Sequence, residues 1–286
     1  TQSHTSNSAA RRLLRTFLGA AILLFVADVS MPAAQPGAQK LKWTQVAPGV
    51  WKTTVGKAED LTLLSAAGIE PKKEALAALP KADFPLSADE IEATQWDWKT
   101  AVRFPLALNE DIYGLGVDFK SMRRTGSIFT LHVDHWGGVT GRTHAPVPLY
   151  VSTRGYAVLF DSARYLHVSV GLGVRLAAAN KPPVIDRTTG KNWSAQPRSD
   201  SIEALANAKG MDVYVFAGPT PLDAVRRYNL YCGGGALPPK WGLGFLTRTP
   251  TSYSAEQALN EIAEFRRNGI PLDMLGLEPG WHDQAY

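Results

Sequence analysis

Arg248, Glu278 and Trp281 are the residues of this chain whose types and spacing point most directly to chemistry. Each lies at the downstream end of a short apolar run, Phe245-Leu246-Thr247 before Arg248 and Met274-Leu275-Gly276-Leu277 before Glu278. A carboxylate accepts charge-assisted hydrogen bonds from two donors at once, a guanidinium donates them, and an indole offers a flat apolar face. That is binding chemistry. Plainer roles stay open: Glu278 as a surface carboxylate, Trp281 as rim packing, and Arg248 as the structural partner of a carboxylate.

A second polar group runs His132-Val133-Asp134-His135-Trp136-Gly137-Gly138 and continues through Arg142-Thr143-His144. Three histidines and an aspartate so close together could ligate zinc. Against this, an extended chain puts His132 and Asp134 on the face opposite His135, and no tight paired spacing follows. We assign no metal and no cofactor; a hydrogen-bonded loop accounts for the same residues. Cys232 is the single cysteine, so no internal disulfide can form. With no histidine beside it, it reads as a small packing residue and not a nucleophile.

The elements that must position these groups change character along the chain. From Leu41 to about Val215, short apolar runs alternate with Gly, Pro, Asn and Asp; Val50-Trp51-Lys52-Thr53-Thr54-Val55 and Tyr156-Ala157-Val158-Leu159-Phe160 are examples. Such spacing predicts an antiparallel β-sandwich. Trp96 and Trp98, alternating with Asp97, are expected to share a face in its core. Pro71 to Leu79 is predicted helical, and Ser201 to Lys209 is polar enough to be expected as a loop.

Beyond Gly210 the period shifts from two towards that of a helix. Asp212 to Phe216 is predicted as a strand, and Pro219 to Tyr231 as an amphipathic helix with Leu222, Val225 and Tyr228 on its apolar face. Gly233-Gly234-Gly235 and Pro238-Pro239 mark a domain edge. Leu237 to Phe245 reads as a strand. Ser254-Ala255-Glu256-Gln257 is a capping box, Ala258, Leu259, Ile262 and Phe265 follow at helical spacing, and Asn268-Gly269 closes the helix. Strand, helix and strand make a parallel βαβ unit.

At 286 residues, with 45% hydrophobic and 20% charged residues, the composition is globular and long enough for about two domains. Arg11, Arg12 and Arg15, less Asp28, contribute two of the four net positive charges. The rest of the chain is near neutral and has no basic cluster interleaved with aromatics, which argues against a nucleic-acid partner. Those arginines precede an apolar run from Phe17 to Val26 and the small residues Ala33-Ala34, the pattern of an export signal. The run is short for a membrane span, which takes roughly 20 apolar residues. Residues 1–34 are therefore expected to direct export to the periplasm or the exterior, an N-terminal membrane anchor being the alternative.

Pro238-Pro239-Lys240-Trp241-Gly242-Leu243-Gly244-Phe245, then Arg248, Tyr253-Ser254, Ile270-Pro271-Leu272-Asp273 and a strand-end acid followed by Trp resemble family 31 of the glycoside hydrolases, the α-glucosidase and α-xylosidase group. Tyr113-Gly114-Leu115-Gly116, the paired runs Val147 to Ser152 and Gly155 to Asp161, and Gly218-Pro219-Thr220-Pro221 are similar to further stretches of the family. The resemblance implies a mainly β architecture: an antiparallel, galactose-mutarotase-like β-sandwich over residues 41–232, then the first βαβ unit of a (β/α)8 barrel over 233–286. It also implies an oligosaccharide or glycoside substrate and retaining hydrolysis of α-glycosides. That reaction uses a nucleophilic carboxylate and an acid/base carboxylate about 5–5.5 Å apart.

By the resemblance both carboxylates are aspartates on later barrel strands. No acid of this chain is therefore assigned a catalytic role, and the chain, read as an N-terminal fragment, is expected to be inactive alone. Glu278 takes the place of an aspartate that binds sugar hydroxyls in the −1 subsite, with Trp281 against the C–H face of the ring and Arg248 nearby. Asp134, His135 and His144 are the candidates for a loop that contributes to the leaving-group subsite. Where the family shows Asp-x-Asp-aromatic, this chain has Glu278-Pro279-Gly280-Trp281, which puts plain α-glucose specificity in doubt. A non-catalytic carbohydrate-binding or accessory protein, and a barrel that has lost its later carboxylates, are the competing readings.

Overall fold

The computed structural model describes residues 39–96, 98–118, 121–132, 145–172, 198–278 and 281. The expected export segment, 1–34, lies outside them. Two six-stranded antiparallel sheets face one another. The first has the order β1 (Gln39–Lys40), β4 (Glu92–Trp96), β5 (Lys99–Pro105), β11 (Arg198–Ala206), β10 (Leu166–Leu172), β7 (Ser127–Leu131). The second runs β2 (Thr44–Ala47), β3 (Val50–Gly56), β12 (Gly210–Ala217), β9 (Tyr156–Asp161), β8 (Leu149–Ser152), β6 (Ile112–Gly114).

The burial of each strand explains its composition. In β10, Leu166, Val168 and Val170 point inward while His167 and Ser169 do not, the alternation of a sheet with one buried face. In β9 all six residues are buried, because a helix covers the outer face of the second sheet. Phe104, Phe129, Val168 and Ile202 of the first sheet pack against Val55, Val158, Phe160 and Val213 of the second to form the main core. On the far side Ala157, Leu159, Tyr214 and Phe216 pack beneath α3 (Pro221–Tyr231).

That helix turns a different face inward from the one its large aliphatic residues predict. Ala224 and Arg227 are its buried residues, Tyr228 and Tyr231 pack against Phe216, and Leu222 and Val225 face solvent. Positions 224, 227, 228 and 231 form one stripe at helical spacing. Gly218 lets the start of the helix settle close to the chain, since a Cβ there would lie 2.7 Å from the Ala224 nitrogen. The stem of Arg227 fills the next position, and its Nη2 donates to the Pro80 carbonyl at 2.6 Å.

Three further expectations are corrected. Residues 201–206 are not a loop: they belong to β11, a central strand paired to both β5 and β10. Ile202, Ala204 and Ala206 alternate inward, and two ladders of hydrogen bonds outweigh the weak strand preference of Ala and Glu. Trp98 is not core. The Trp96–Lys99 pairing places it in the hairpin turn between β4 and β5, 57% exposed. The predicted strand over 237–245 is instead a 3-10 turn at Lys240–Leu243, and the strand proper is β13 (Leu246–Arg248). Pro238 and Pro239 have no N–H to give a ladder. The 71–79 helix appears as α2 (Lys73–Ala77), preceded by α1 (Leu63–Ala67), which the sequence reading did not anticipate.

The last elements match their pattern. Ser254 Oγ accepts from Gln257 N at 3.2 Å, Gln257 Oε1 accepts from Ser254 N at 2.8 Å, and α4 (Ala255–Arg267) follows. Such a cap contributes about 1 kcal/mol. Gly269, with φ of 66°, turns the chain into β14 (Met274–Gly276), which lies parallel to β13. A two-stranded parallel βαβ unit is observed; the remaining strands of a barrel are not among the described residues.

Candidate functional site

The parallel register Leu246–Met274, Thr247–Leu275 and Arg248–Gly276 brings the downstream ends of β13 and β14 side by side. At the upstream end Asp273 fixes the pair: its Oδ2 accepts from Phe245 N at 3.2 Å and its own N donates to Phe245 O at 3.0 Å. Residue 244 must be glycine here, since a Cβ would meet Asp273 Oδ2 at 2.0 Å. Phe245 rests on Phe265 of α4 with ring centres 5.9 Å apart, so the helix and the strand pair form one packed unit.

The chemistry gathers at the opposite end. Arg248 Nε lies 2.5 Å from Glu278 Oε1, the guanidinium 61% exposed and the carboxylate 26%. Gly276, the register partner of Arg248, leaves the arginine stem room to cross it: a Cβ there would stand 3.1 Å from Arg248 Cγ. Thr249, buried, donates its N–H to Gly276 O at 3.0 Å and continues the ladder one step past the strand. Trp281 N donates to Glu278 O at 3.2 Å, which ties the backbone of Trp281 to that of Glu278, and the indole is exposed.

The structure thus brings together Arg248, Glu278 and Trp281, all three taken from the sequence. Arg248 is the ion-pair partner of Glu278. A carboxylate held by one oxygen keeps acceptor capacity on the other, so the group can still receive a ligand hydroxyl. The other candidates, Asp134, His135 and His144, lie outside the described residues. His132, the last described residue before them, packs its ring against Tyr165 with centres 4.3 Å apart. A small cavity of about 180 Å³ opens there, lined in part by His132, Pro146, Arg164 and Tyr165. Among the described residues no group of three or more His, Cys, Asp or Glu is placed to hold a metal ion.

Sequence reasoning missed the brace formed by Asp273 and the exposure of Trp98. The Asp273 role has a local signal, an acid immediately before an apolar strand and opposite a glycine. Trp98 is flanked by Asp97 and Lys99, a charge pattern closer to a turn than to a core strand.

No family model matches the chain. Among curated proteins it is 28% identical over 206 residues to the α-xylosidase XylQ of Lactiplantibacillus pentosus, covering 68% of this chain and 23% of that protein. It is 39% identical over 94 residues to α-glucosidase 2 of Bacillus thermoamyloliquefaciens, covering 32% of this chain and 12% of that one. Among solved structures, the family 31 dextranase of Flavobacterium johnsoniae complexed with glucose superposes with a TM-score of 0.59 at 17% identity. That match covers 87% of this chain and 34% of the dextranase, and it speaks to the fold alone. The chain spans about a quarter or less of these two curated relatives. Over the partial region that the matches cover, the chain is glycoside hydrolase family 31-like.

Proposed function

We propose that this chain is the N-terminal portion of an exported, retaining hydrolase of α-linked glycosides, with residues 41–232 as its sandwich domain and 233–286 opening its (β/α)8 barrel. The observation that carries the reading is the Arg248–Glu278 pair at the downstream ends of two parallel strands. Barrel enzymes bind substrate at that end of their strands. Similarity to an α-xylosidase and an α-glucosidase supports the α-glycoside class.

In this reading Glu278 accepts hydrogen bonds from vicinal hydroxyls of the sugar in the −1 subsite, Arg248 fixes its rotamer, and Trp281 lies along the C–H face of the ring. Asp134, His135 and His144 reach the leaving-group side. The nucleophile and the acid/base are carboxylates of later barrel strands, so no residue of this chain forms or breaks the glycosidic bond. Glu278 is one methylene longer than the aspartate it replaces and is followed by Pro279. The sugar recognised therefore differs in shape or substitution from plain α-glucose.

Three measurements test this. The 286-residue chain, assayed with nitrophenyl α-xyloside and α-glucoside, is expected to give no turnover; hydrolysis by it would overturn the placement of the carboxylates. The coding sequence downstream is expected to supply two acids at predicted strand ends, and their absence would leave a binding protein. Edman sequencing of the exported product is expected to start beyond residue 34, and a retained N-terminus would favour the anchor.

A further inference from the structure

We propose that the groove beside Trp98 is a binding site for a neutral oligosaccharide, built by the sandwich itself. The proposal rests on the glycosidase reading above for its ligand class and on the following geometry for its place.

Leu131, Leu166, Ala206, Thr100 and Gln95 lie in register across the first sheet. In the second sheet Gly56 pairs with Gly210 at the same end. Just beyond this row the chain forms a groove of about 570 Å³, whose lining includes Lys57, Glu59, Trp98, Arg164, Asn207 and Lys209. That volume is in the range of small-molecule sites. The same end carries His132, which follows Leu131 of β7.

The polar groups around the indole are held in place. Arg164 grips the Glu59 carboxylate through Nε, 3.0 Å from both oxygens, and through Nη2 at 2.7 Å from Oε1. Asn207 is exposed on the β11–β12 turn, and three neighbouring strands tie that turn down. Thr100 Oγ1 donates to Ala208 O at 2.8 Å, Lys57 N donates to Lys209 O at 3.2 Å, and Gln95 Nε2 also donates to Lys209 O. Gly210 permits the closure, since a Cβ there would stand 2.3 Å from Lys57 N. A carboxylate gripped by Arg164 and a braced turn carrying Asn207, beside a half-exposed indole, lose little entropy when they bind a ligand.

This combination suits a saccharide better than its rivals. A sugar ring offers a C–H face for the indole and vicinal hydroxyls for Asn207 and Glu59. Of the cations at the groove, Arg164 is held by Glu59 and Lys99 Nζ sits 4.3 Å from the Trp98 ring centre, while Lys57 and Lys209 also line it and make inorganic phosphate the rival ligand to test. A hydrophobic peptide would need more apolar surface than the indole, Leu61 and two alanines provide among the charged groups of the lining.

The test is an NMR titration of the 286-residue chain, following the Trp98 indole N–H, assigned by its loss in Trp98→Phe. Maltotriose and isomaltotriose are expected to shift it with half-saturation at about 1 mM, insensitive to salt, as a solvent-open site allows. Asn207→Ala should weaken the response about threefold or more with an unchanged melting temperature. Trp98→Ala, in an exposed turn, should fold normally and abolish the perturbation of neighbouring Asn207. An unmoved Trp98 resonance, undiminished perturbation of Asn207 in Trp98→Ala, or a response to inorganic phosphate in place of sugar would overturn the site. A shift caused by cellotriose and not by the α-linked sugars would uphold the groove while sinking the α-glycoside reading. Sugar-induced shifts confined to residues near Glu278 would do the reverse.

Discussion

Arg248 and Glu278 meet across the ends of two neighbouring parallel strands, Nε to Oε1 at 2.5 Å, with Gly276 beneath the arginine stem. The pair fixes the direction of a carboxylate that stands two residues beyond the last ladder position of its strand.

Because the guanidinium is largely exposed, the pair is expected to add little to stability, about 0.5 kcal/mol after solvent screening. A double-mutant cycle with Arg248→Ala and Glu278→Ala in urea should show coupling below about 1 kcal/mol. In the longer hydrolase proposed above, Arg248→Ala should instead cut turnover of α-glycosides by about tenfold or more, through misdirection of Glu278. Strong coupling in stability with unchanged turnover would make the pair structural only.

Glu110, fully buried, ties the loop after β5 to the β8–β9 hairpin. Its Oε1 accepts from Ser152 Oγ and Tyr156 Oη, each at 2.5 Å, and its Oε2 accepts from Ala107 N at 2.9 Å. Burial, and then the nearby carboxylate, hold the Tyr156 hydroxyl well above its ordinary pKa, so it remains a donor. Glu110→Ala leaves these donors without their acceptor and should cost about 3 kcal/mol, measured by denaturant unfolding. Glu110→Gln, which keeps one acceptor, should cost about half as much. A loss under 1 kcal/mol for the alanine variant would refute the account.

Burial raises the Asp161 carboxyl above the usual carboxylate range, partly offset by the Leu64 N–H at 3.1 Å. The folded chain therefore holds this proton more tightly than the unfolded chain, where the pKa is about 3.9. Stability from this group falls as pH rises from the unfolded value through the folded one, and it stays reduced at neutral pH. Asp161→Asn keeps an acceptor for Leu64 and removes the penalty. Melting temperatures from pH 4 to 7 should fall less steeply for the variant and lie higher at pH 7. Parallel curves would contradict this.

Burial pushes the Cys232 thiol up to about 11, although the Tyr228 hydroxyl beside it pulls the other way. Its thiolate fraction at pH 8 is then roughly a hundredth of that of a free cysteine. Iodoacetamide should react about 100-fold more slowly than with a model thiol, and the rate should still be climbing at pH 10. A rate that levels off near pH 8.5 would show an accessible, ordinary thiol.

How much of this was legible depended on whether the signal was local. The Ser254–Gln257 cap involves residues three apart, and both of its bonds form as the spacing requires. The continuous apolar run of β9 and the alternation of β10 also announce strands, because burial on two faces or on one is written into composition. By contrast β11 looks polar: Ala204 and Ala206 gain their place from β5 and β10, which no local rule contains. The inward face of α3 was misread for the same reason, since the second sheet, with Phe216 against Tyr228 and Tyr231 and with Ala224 buried, sets which stripe turns inward.

The sequence alone determined that two kinds of architecture follow one another here, and that Arg248, Glu278 and Trp281 cluster where strands end. Side-chain periodicity and strand polarity are intrinsic to the chain, so those inferences needed no partner. Only the tertiary structure decided that Arg248 spends its Nε on Glu278, and that Trp98 stands in a turn beside Asn207 and the Arg164–Glu59 pair. Those relationships join residues up to about a hundred positions apart, and strand register, which side-chain packing fixes through the whole sandwich, sets them.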